Sequence, residues 1–179
     1  IFFVWLAFFI PWLLLYPVKL LGSKLVFSKI RAKLGNAFKG GVSGGGALPP
    51  AIDNFFWTVG VNLVEGYGLT ETAPVIGVRP MYKPVFGTVG SPIRHVEVRI
   101  VDDNGNILPA GKKGEVQVRG GIVMRGYYKR DDLTAKVIDK DGWFSTGDIG
   151  MLTVNNESVL RGRKKDTIVL RGGENVEPL

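Results

Sequence analysis

The stretch VNLVEGYGLTET, residues 61–72, decides how the rest of the chain is read. Its opening residues, 61–64, form a continuous apolar run of the kind a buried strand shows, and the run passes into a glycine-punctuated segment that reads as a loop. Upstream, residues 51–59 follow Pro50 as a short helix, so helix, strand and loop alternate as in an α/β layer. Ligands of open α/β sheets bind at the carboxyl ends of the strands, which is where this loop falls. It carries an aromatic ring, two hydroxyls and a carboxylate: Tyr67 can stack on a base, Thr70 can donate to a phosphate oxygen, and Glu71 offers the hard oxygen that Mg²⁺ prefers. The plainer alternative is a capped turn with Glu71 exposed.

Working back from that strand, residues 43–47 read SGGGA, where missing side chains let a flat ligand such as adenine lie against the backbone; alone, the same residues make a turn. Further upstream, residues 20–38 carry Leu21, Leu25, Ile30, Leu34 and Phe38 at spacings of four or five with basic residues between them, a pattern that fits a helix on its own domain or on anionic lipid. Residues 1–18 are uninterruptedly apolar and would rise roughly 27 Å as a helix. That length makes them a transmembrane or interfacial candidate, while Pro11 and Pro17 favour a buried hairpin of two short helices instead. No basic region precedes the run and no small-residue cleavage site follows it, so it does not read as a signal peptide.

Downstream, the period changes to two. Val96, Val98 and Ile100 alternate with Glu97 and Arg99, Asp102-Asp103-Asn104-Gly105 turns the chain, and Val116 and Val118 alternate with Gln117 and Arg119, predicting a small antiparallel β subdomain. Residues 131–138 read as a helix with Asp131 as N-cap. Two strands are expected at 158–161 and 167–170, joined by a charged connector at 162–166. Between helix and strands lies Trp143-Phe144-Ser145-Thr146-Gly147-Asp148, read as a loop whose Asp148 can accept both hydroxyls of a ribose. Arg163, in the connector, offers a fixed guanidinium fork for phosphate or ribose oxygens, although such basic runs are usually just solvated.

Composition narrows the classes. There is no cysteine, which excludes disulfides and thiolate chemistry, and His95 is the single histidine, with no nucleophile elbow near it, which disfavours a Ser-His-Asp hydrolase. The net charge of +7 is concentrated upstream of the first acid, Asp53, where Lys19, Lys24, Lys29, Arg31, Lys33 and Lys39 stand unopposed. The remainder is nearly neutral and has no broad basic face, so nucleic acid is not an expected partner. The same clustering puts the polypeptide after residue 18 on the cytoplasmic side of any membrane that residues 1–39 touch, and a cytoplasmic location with membrane association left open is expected.

Taken in order, SGGGALPP, GYGLTET, WFSTGDIG and GRKKDTIVLRGGENVEP resemble the adenylate-forming acyl-CoA synthetase superfamily, in wording its long-chain fatty acyl-CoA ligase branch. The match covers about residues 42–179. The resemblance implies an α/β fold: part of the large N-terminal domain, an α/β layer plus a small antiparallel β subdomain, with the start of the small C-terminal domain. Expected divisions are 1–39, an apolar and basic helical segment; 40–163, part of the AMP-binding large domain; and 164–179, hinge and C-terminal start. It implies ATP, Mg²⁺ and CoA as cofactors or co-substrates and a fatty acid as substrate. A carboxylate attacks the α-phosphate to give acyl-adenylate and pyrophosphate, and the CoA thiol then displaces AMP. By motif, Gly45, Gly46, Ala47 and Gly68 would line the adenine site with Tyr67 stacked on it. Thr70 would contact the α-phosphate, Glu71 the magnesium, Asp148 the ribose hydroxyls and Arg163 the ribose or phosphate. Lys165 falls at the family's hinge, Gly172, Gly173 and Glu174 near the thiol, and residues 74–77 along the acyl pocket. The family's phosphate loop lies upstream of this sequence and its adenylation lysine downstream, so the chain is read as an internal piece, inactive alone. The alternatives are an adenylating enzyme that uses another acid or a carrier-protein acceptor, and a non-catalytic, membrane-associated nucleotide-binding module.

Overall fold

Among the described residues, two four-stranded sheets, one two-stranded sheet and four α-helices form a mixed α/β arrangement, as the motif order implies. The computed structural model describes residues 2–35, 37–166, 168–169 and 175–176. By contacts the chain divides into one unit of Ile1–Gly41 with Ala51–Leu63 and a second of Val42–Pro50 with Val64–Leu179.

In the first unit the apolar run is one helix, α1 (Phe2–Gly22), with Pro11 and Pro17 inside it, not a hairpin of two. A π-helical turn, Ser23–Phe27, passes into α2 (Ser28–Leu34), and Gly35 closes it at φ 90°, a backbone angle that glycine accepts at little cost. The helix expected to reach Phe38 therefore stops four residues earlier. Arg31 is held from within this unit, its guanidinium donating to Val59 O at 2.7 Å. Helix α3 (Pro50–Thr58) lies one residue ahead of the expected 51–59, and the buried Val59 and Val61 after it donate their N–H groups back to Phe55 O and Phe56 O. Leu13, Leu14 and Leu15 are 55%, 69% and 62% exposed, and Val18, Leu20, Leu21, Leu25 and Val26 are exposed as well. Among the described residues no helix is long and apolar enough to cross a membrane.

The second unit holds the larger core. Its first sheet has the order β1 (Gly41–Ser43), β2 (Leu63–Gly68), β3 (Val75–Val78), β4 (Ser91–Pro92), with β2–β3 and β3–β4 antiparallel. The strand read at 61–64 begins two residues later and runs on through Gly68, so the GYG expected in a loop is strand. The second sheet is the antiparallel meander β5 (Val96–Val101), β6 (Gly114–Gly120), β7 (Phe144–Leu152), β8 (Ser158–Arg163). Its first hairpin is the alternating segment foreseen, with Val98 opposite Val118 and Ile100 opposite Val116. On the opposite face of the pleat, Trp143 lies between the guanidinium groups of Arg99 and Arg119, 4.0 and 4.7 Å from its ring centre.

Tyr67, Ile76, Val89, Val96, Ile100, Val116 and Val118 form one buried cluster drawn from both sheets. Backbone hydrogen bonds from Val89 N to Ser158 O at 2.9 Å and from Ser158 N to Gly90 O at 2.8 Å lock the sheets to each other. Helix α4 (Asp131–Val137) is present, but its N-cap position is Arg130 and Asp131 caps nothing. The guanidinium of Arg130 instead grips Asp132 with two bonds of 2.8 Å, which favours Asp132 as the anchoring acid of the first turn. A short 3₁₀ turn, Lys164–Asp166, leads to the pair β9 (Ile168–Val169) and β10 (Asn175–Val176).

Candidate functional site

The end of β2 is shaped by a bulge. Gly66 and Tyr67 oppose Val78 and Gly77, but Gly68 opposes Val75, so Ile76 is left over and the chain turns sharply. Thr70–Thr72 then form a 3₁₀ turn. Its peg is Thr72, wholly buried: the hydroxyl accepts from Leu69 N–H and has Leu69 O and Pro74 O as acceptors, each at 3.0 Å. Thr72 holds the turn, which leaves Thr70 exposed and Glu71 half-buried beside it.

The second half of the site is a bulge too. Ser145 and Ile149 of β7 pair with Gln117 and Glu115 of β6, so Thr146, Gly147 and Asp148 stand opposite the single residue Val116. The Thr146 hydroxyl donates to Val116 O at 2.8 Å and accepts from Asp148 N–H at 3.1 Å, and Gly147 adopts φ 73°. Asp148 therefore sits in a strand and not in the expected loop; three residues on one strand facing one on its neighbour give a strand the reach of a loop.

These two bulges meet at Asp148. The Tyr67 hydroxyl donates to Asp148 Oδ2 at 2.7 Å across 81 positions of sequence, and Arg163, directly opposite on β8, brings its Nε to 3.3 Å from Oδ1. Both Tyr67 and Asp148 are 7% exposed. Burial, and then the Asp148 charge, push the Tyr67 phenol far above its ordinary value, so it remains a donor.

A cleft of about 790 Å³ opens over this cluster, lined by Gly45, Gly68, Leu69, Thr70, Glu71, Pro74, Thr146, Gly147, Arg163, Lys164 and Lys165. Six predicted residues, Gly45, Gly68, Thr70, Glu71, Arg163 and Lys165, thus share one wall system. Gly46, Ala47, Tyr67 and Asp148 are not on its lining. The Tyr67 ring is part of the core cluster and its hydroxyl is committed to Asp148. Of residues 74–77, Pro74 reaches the cleft while Ile76 and Gly77 are buried in β3. Gly172, Gly173 and Glu174 lie outside the described residues. Lys164 bonds Asp103 and Glu115 at 3.0 and 3.1 Å, which raises its pKa and anchors the start of the turn that carries Lys165.

Sequence reasoning did not identify Thr146, Gly147, Leu69 or Tyr127. The glycine inside STGD was the available signal for the β7 bulge; nothing local signals Tyr127, whose hydroxyl donates to Glu71 Oε1 at 3.0 Å from 56 residues away. Burial, and then that hydrogen bond, raise the Tyr127 pKa. The residue after SGGGA has a partner in Glu65: its Oε1 accepts Leu48 N–H at 3.1 Å, and Oε2 lies 3.7 Å from the buried Arg79. Among the described residues no group of three or more metal-binding side chains occurs. A lone carboxylate on a cleft wall suits a cation that takes its other ligands from polyphosphate and water, so Glu71 fits Mg²⁺ in that form.

A family model described as AMP-binding enzyme matches residues 9–128. The chain is 52% identical over 176 residues to the probable acyl-activating enzyme 16, chloroplastic, of Arabidopsis thaliana, covering 92% of this chain and 24% of that protein. It is 44% identical to a chloroplastic long-chain-fatty-acid–[acyl-carrier-protein] ligase of the same plant, over 98% of this chain and 26% of that one. Against a long-chain-fatty-acid–CoA ligase of Mycobacterium bovis the identity is 38%, over 94% and 26%. Among solved structures, ATP-bound MatB of Rhodopseudomonas palustris matches with a TM-score of 0.72 at 32% identity, over 76% of this chain and 27% of that one. The AMP complex of O-succinylbenzoate coenzyme A synthetase from Bacillus subtilis matches at 0.69 and 29% identity, over 78% and 29%. The chain spans about a quarter of the length of the curated relatives it matches.

Proposed function

Because the chain belongs to the AMP-binding enzymes of the adenylate-forming acyl-CoA synthetase superfamily, we propose that it supplies much of the nucleotide site with which a long-chain fatty acid is activated by ATP and passed to a thiol. The observation that carries this is the convergence of Tyr67, Asp148 and Arg163 beside a cleft whose lining presents Arg163, Thr70 and Glu71. A carboxylate is a poor electrophile. In the proposed first step its oxygen attacks the α-phosphorus of ATP, the bond to the bridging oxygen of pyrophosphate breaks, and the mixed anhydride that forms carries AMP as a good leaving group. A thiolate then attacks the acyl carbon and AMP departs.

This chain's part is positioning and charge. Asp148, anchored by Tyr67, accepts the ribose hydroxyls; Arg163 supplies donors to ribose or phosphate oxygens; Thr70 donates to the α-phosphate; the backbone at Gly45 lies against the base. Glu71 would hold Mg²⁺, which supplies neutralisation of phosphate charge. ATP–pyrophosphate exchange by the intact enzyme, dependent on fatty acid, tests the reading; preference for aromatic or short acids over acyl chains of ten or more carbons defeats the substrate assignment. The 179-residue chain alone is expected to give no exchange, and detectable exchange from it overturns that expectation.

CoA is the proposed acceptor. The similarity to an acyl-carrier-protein ligase supports a second reading, in which a carrier-protein thiol takes the acyl group. Offering both acceptors to the intact enzyme with preformed acyl-adenylate separates them.

Residues 1–39 are proposed to rest on the cytoplasmic face of an anionic bilayer. Support comes from the exposed Leu13, Leu14, Leu15, Leu21 and Leu25 beside Lys19, Lys24, Lys29 and Lys33, apolar surface with cationic heads of the kind that lies in an interface. Sedimentation of the intact enzyme with vesicles containing phosphatidylserine is expected, and loss of it on replacing those four lysines by glutamine. Equal sedimentation of the variant, or none with the wild type, rejects this contact.

A further inference from the structure

The segment between β6 and α4 does more than connect them: it closes over Glu71 at two points. Met124 N–H donates to the Glu71 main-chain oxygen at 2.8 Å, and the Tyr127 hydroxyl donates to Oε1 of the same residue at 3.0 Å. Backbone and carboxylate of Glu71 are thus gripped from one short piece of chain.

That piece is itself fixed. Tyr127 N–H donates to the Thr134 hydroxyl at 2.9 Å, and the same hydroxyl donates to Arg130 O at 3.0 Å within the first turn of α4. Gly126 fits so closely against Thr134 that an added Cβ would come 2.9 Å from both Cγ2 and Oγ1. The backbone of Tyr127 is therefore tied to the start of a helix through Thr134.

A glutamate at the rim of an open cleft has three side-chain torsions to lose before it can serve a ligand. With Oε1 bonded to the phenol, the carboxylate is confined to one orientation, and Oε2 has no hydrogen-bond partner among the described residues. A single free, oriented oxygen is what a cation bound chiefly through polyphosphate requires.

We propose that Tyr127 is a positioning residue: it orients the Glu71 carboxylate so that one oxygen is presented to the divalent cation accompanying the nucleotide. This inference rests on the reading of Glu71 given above. Tyr127 touches no substrate and acts through Glu71 alone.

Tyr127→Phe in the intact enzyme tests it, since only the hydroxyl is removed. The Mg²⁺ concentration that half-saturates ATP–pyrophosphate exchange is expected to rise about 10-fold, the scale on which outer-shell partners of metal ligands act. Binding of Mn²⁺ to the enzyme with a non-hydrolysable ATP analogue, followed by electron paramagnetic resonance, is expected to weaken in parallel. Thiol transfer from supplied acyl-adenylate, which involves no polyphosphate, is expected to keep its wild-type rate. In a Glu71→Gln background the same substitution is expected to add no further loss of Mn²⁺ affinity, a comparison that holds even where the variant is less stable. Unchanged Mn²⁺ affinity in the Tyr127→Phe single variant, an equal loss in both half-reactions, or an additive loss in the Glu71→Gln background overturns the proposal. Absence of Mg²⁺-dependent exchange in the wild type strikes the underlying reading of Glu71 instead.

Discussion

Asp148→Asn in the intact enzyme is expected to weaken AMP and ATP binding by on the order of 10- to 100-fold while leaving the fold in place. The carboxylate is acceptor-only: Oδ2 takes the Tyr67 phenol at 2.7 Å and Oδ1 faces Arg163 Nε at 3.3 Å. A ribose brings two hydroxyl donors, and a carboxylate has lone pairs enough to accept them while keeping the phenol. An asparagine has one acceptor oxygen and an NH₂. If the oxygen keeps the Tyr67 bond, the NH₂ faces the guanidinium, donor against donor; if it turns over, the ribose finds a donor where it needs an acceptor. Loss of one hydrogen bond to a charged group is worth about 1.5–3 kcal/mol, which sets the factor. Stability should change little, because the amide oxygen still satisfies the buried Tyr67 hydroxyl and the other partner, Arg163, is half in solvent. Calorimetric titration with AMP beside a thermal melt reads both quantities. Affinity within twofold of wild type would remove Asp148 from the nucleotide site, and with it the main geometric support for the proposed function.

The reason that the sequence puts Asp148 in a loop while the structure has it in a strand is physical. Strand prediction rests on alternation, and alternation holds where a strand is half-buried and regular, as in β5 and β6, whose inward valines pair across the sheet. Ser145-Thr146-Gly147-Asp148 has turn chemistry throughout, and turn chemistry is what a bulge consists of; the flanking pairs of Ser145 and Ile149 with β6 are long-range facts that no window contains. The same holds for Gly66-Tyr67-Gly68, whose glycines read as a loop and are in fact the backbone thinness that lets β2 meet β3. Helix α1 decides between the two readings left open for the apolar run, one helix or a hairpin of two: the run is one helix, because two missing hydrogen bonds do not outweigh continuous helical geometry in a segment of 21 residues. Sequence displays the Tyr67 side-chain type but not its partners: that its ring joins the core cluster and its hydroxyl bonds Asp148 is long-range information. Glu65, Thr72 and Tyr127, which bond Leu48, the Thr70–Thr72 turn and Glu71, carry no local mark at all.

Gly68→Ala is expected to be the most damaging single methyl that can be added near the site. Gly68 is not in the left-handed region, so conformational freedom is not the issue. An alanine Cβ at this position would overlap the Pro74 carbonyl oxygen outright and come within 2.7 Å of Pro74 C and 3.0 Å of Val75 Cα, all backbone atoms that cannot swing aside. Relief requires moving the start of β3, and Pro74 O is also an acceptor for the buried Thr72 hydroxyl that holds the Thr70–Thr72 turn. Overpacking against side chains costs about 1–3 kcal/mol, and rigid backbone in the way sets a cost of at least about 3 kcal/mol here. Two neighbours calibrate it. At Gly66 the added carbon would meet Val42 Cγ1 at 3.2 Å, a side-chain atom that can yield, and at Gly45 it would meet open space, with only the strain of φ 81° to bear. The order of destabilisation in urea is therefore expected to be Gly68→Ala first by a wide margin, with Gly66→Ala and Gly45→Ala each about 1 kcal/mol. Because the displaced turn carries Thr70 and Glu71, whatever Gly68→Ala protein survives is expected to lose pyrophosphate exchange far more than its folded fraction accounts for. A midpoint for Gly68→Ala equal to that of Gly45→Ala contradicts the close approach of β2 and β3, and the geometry of the Thr70–Thr72 turn would have to be redrawn.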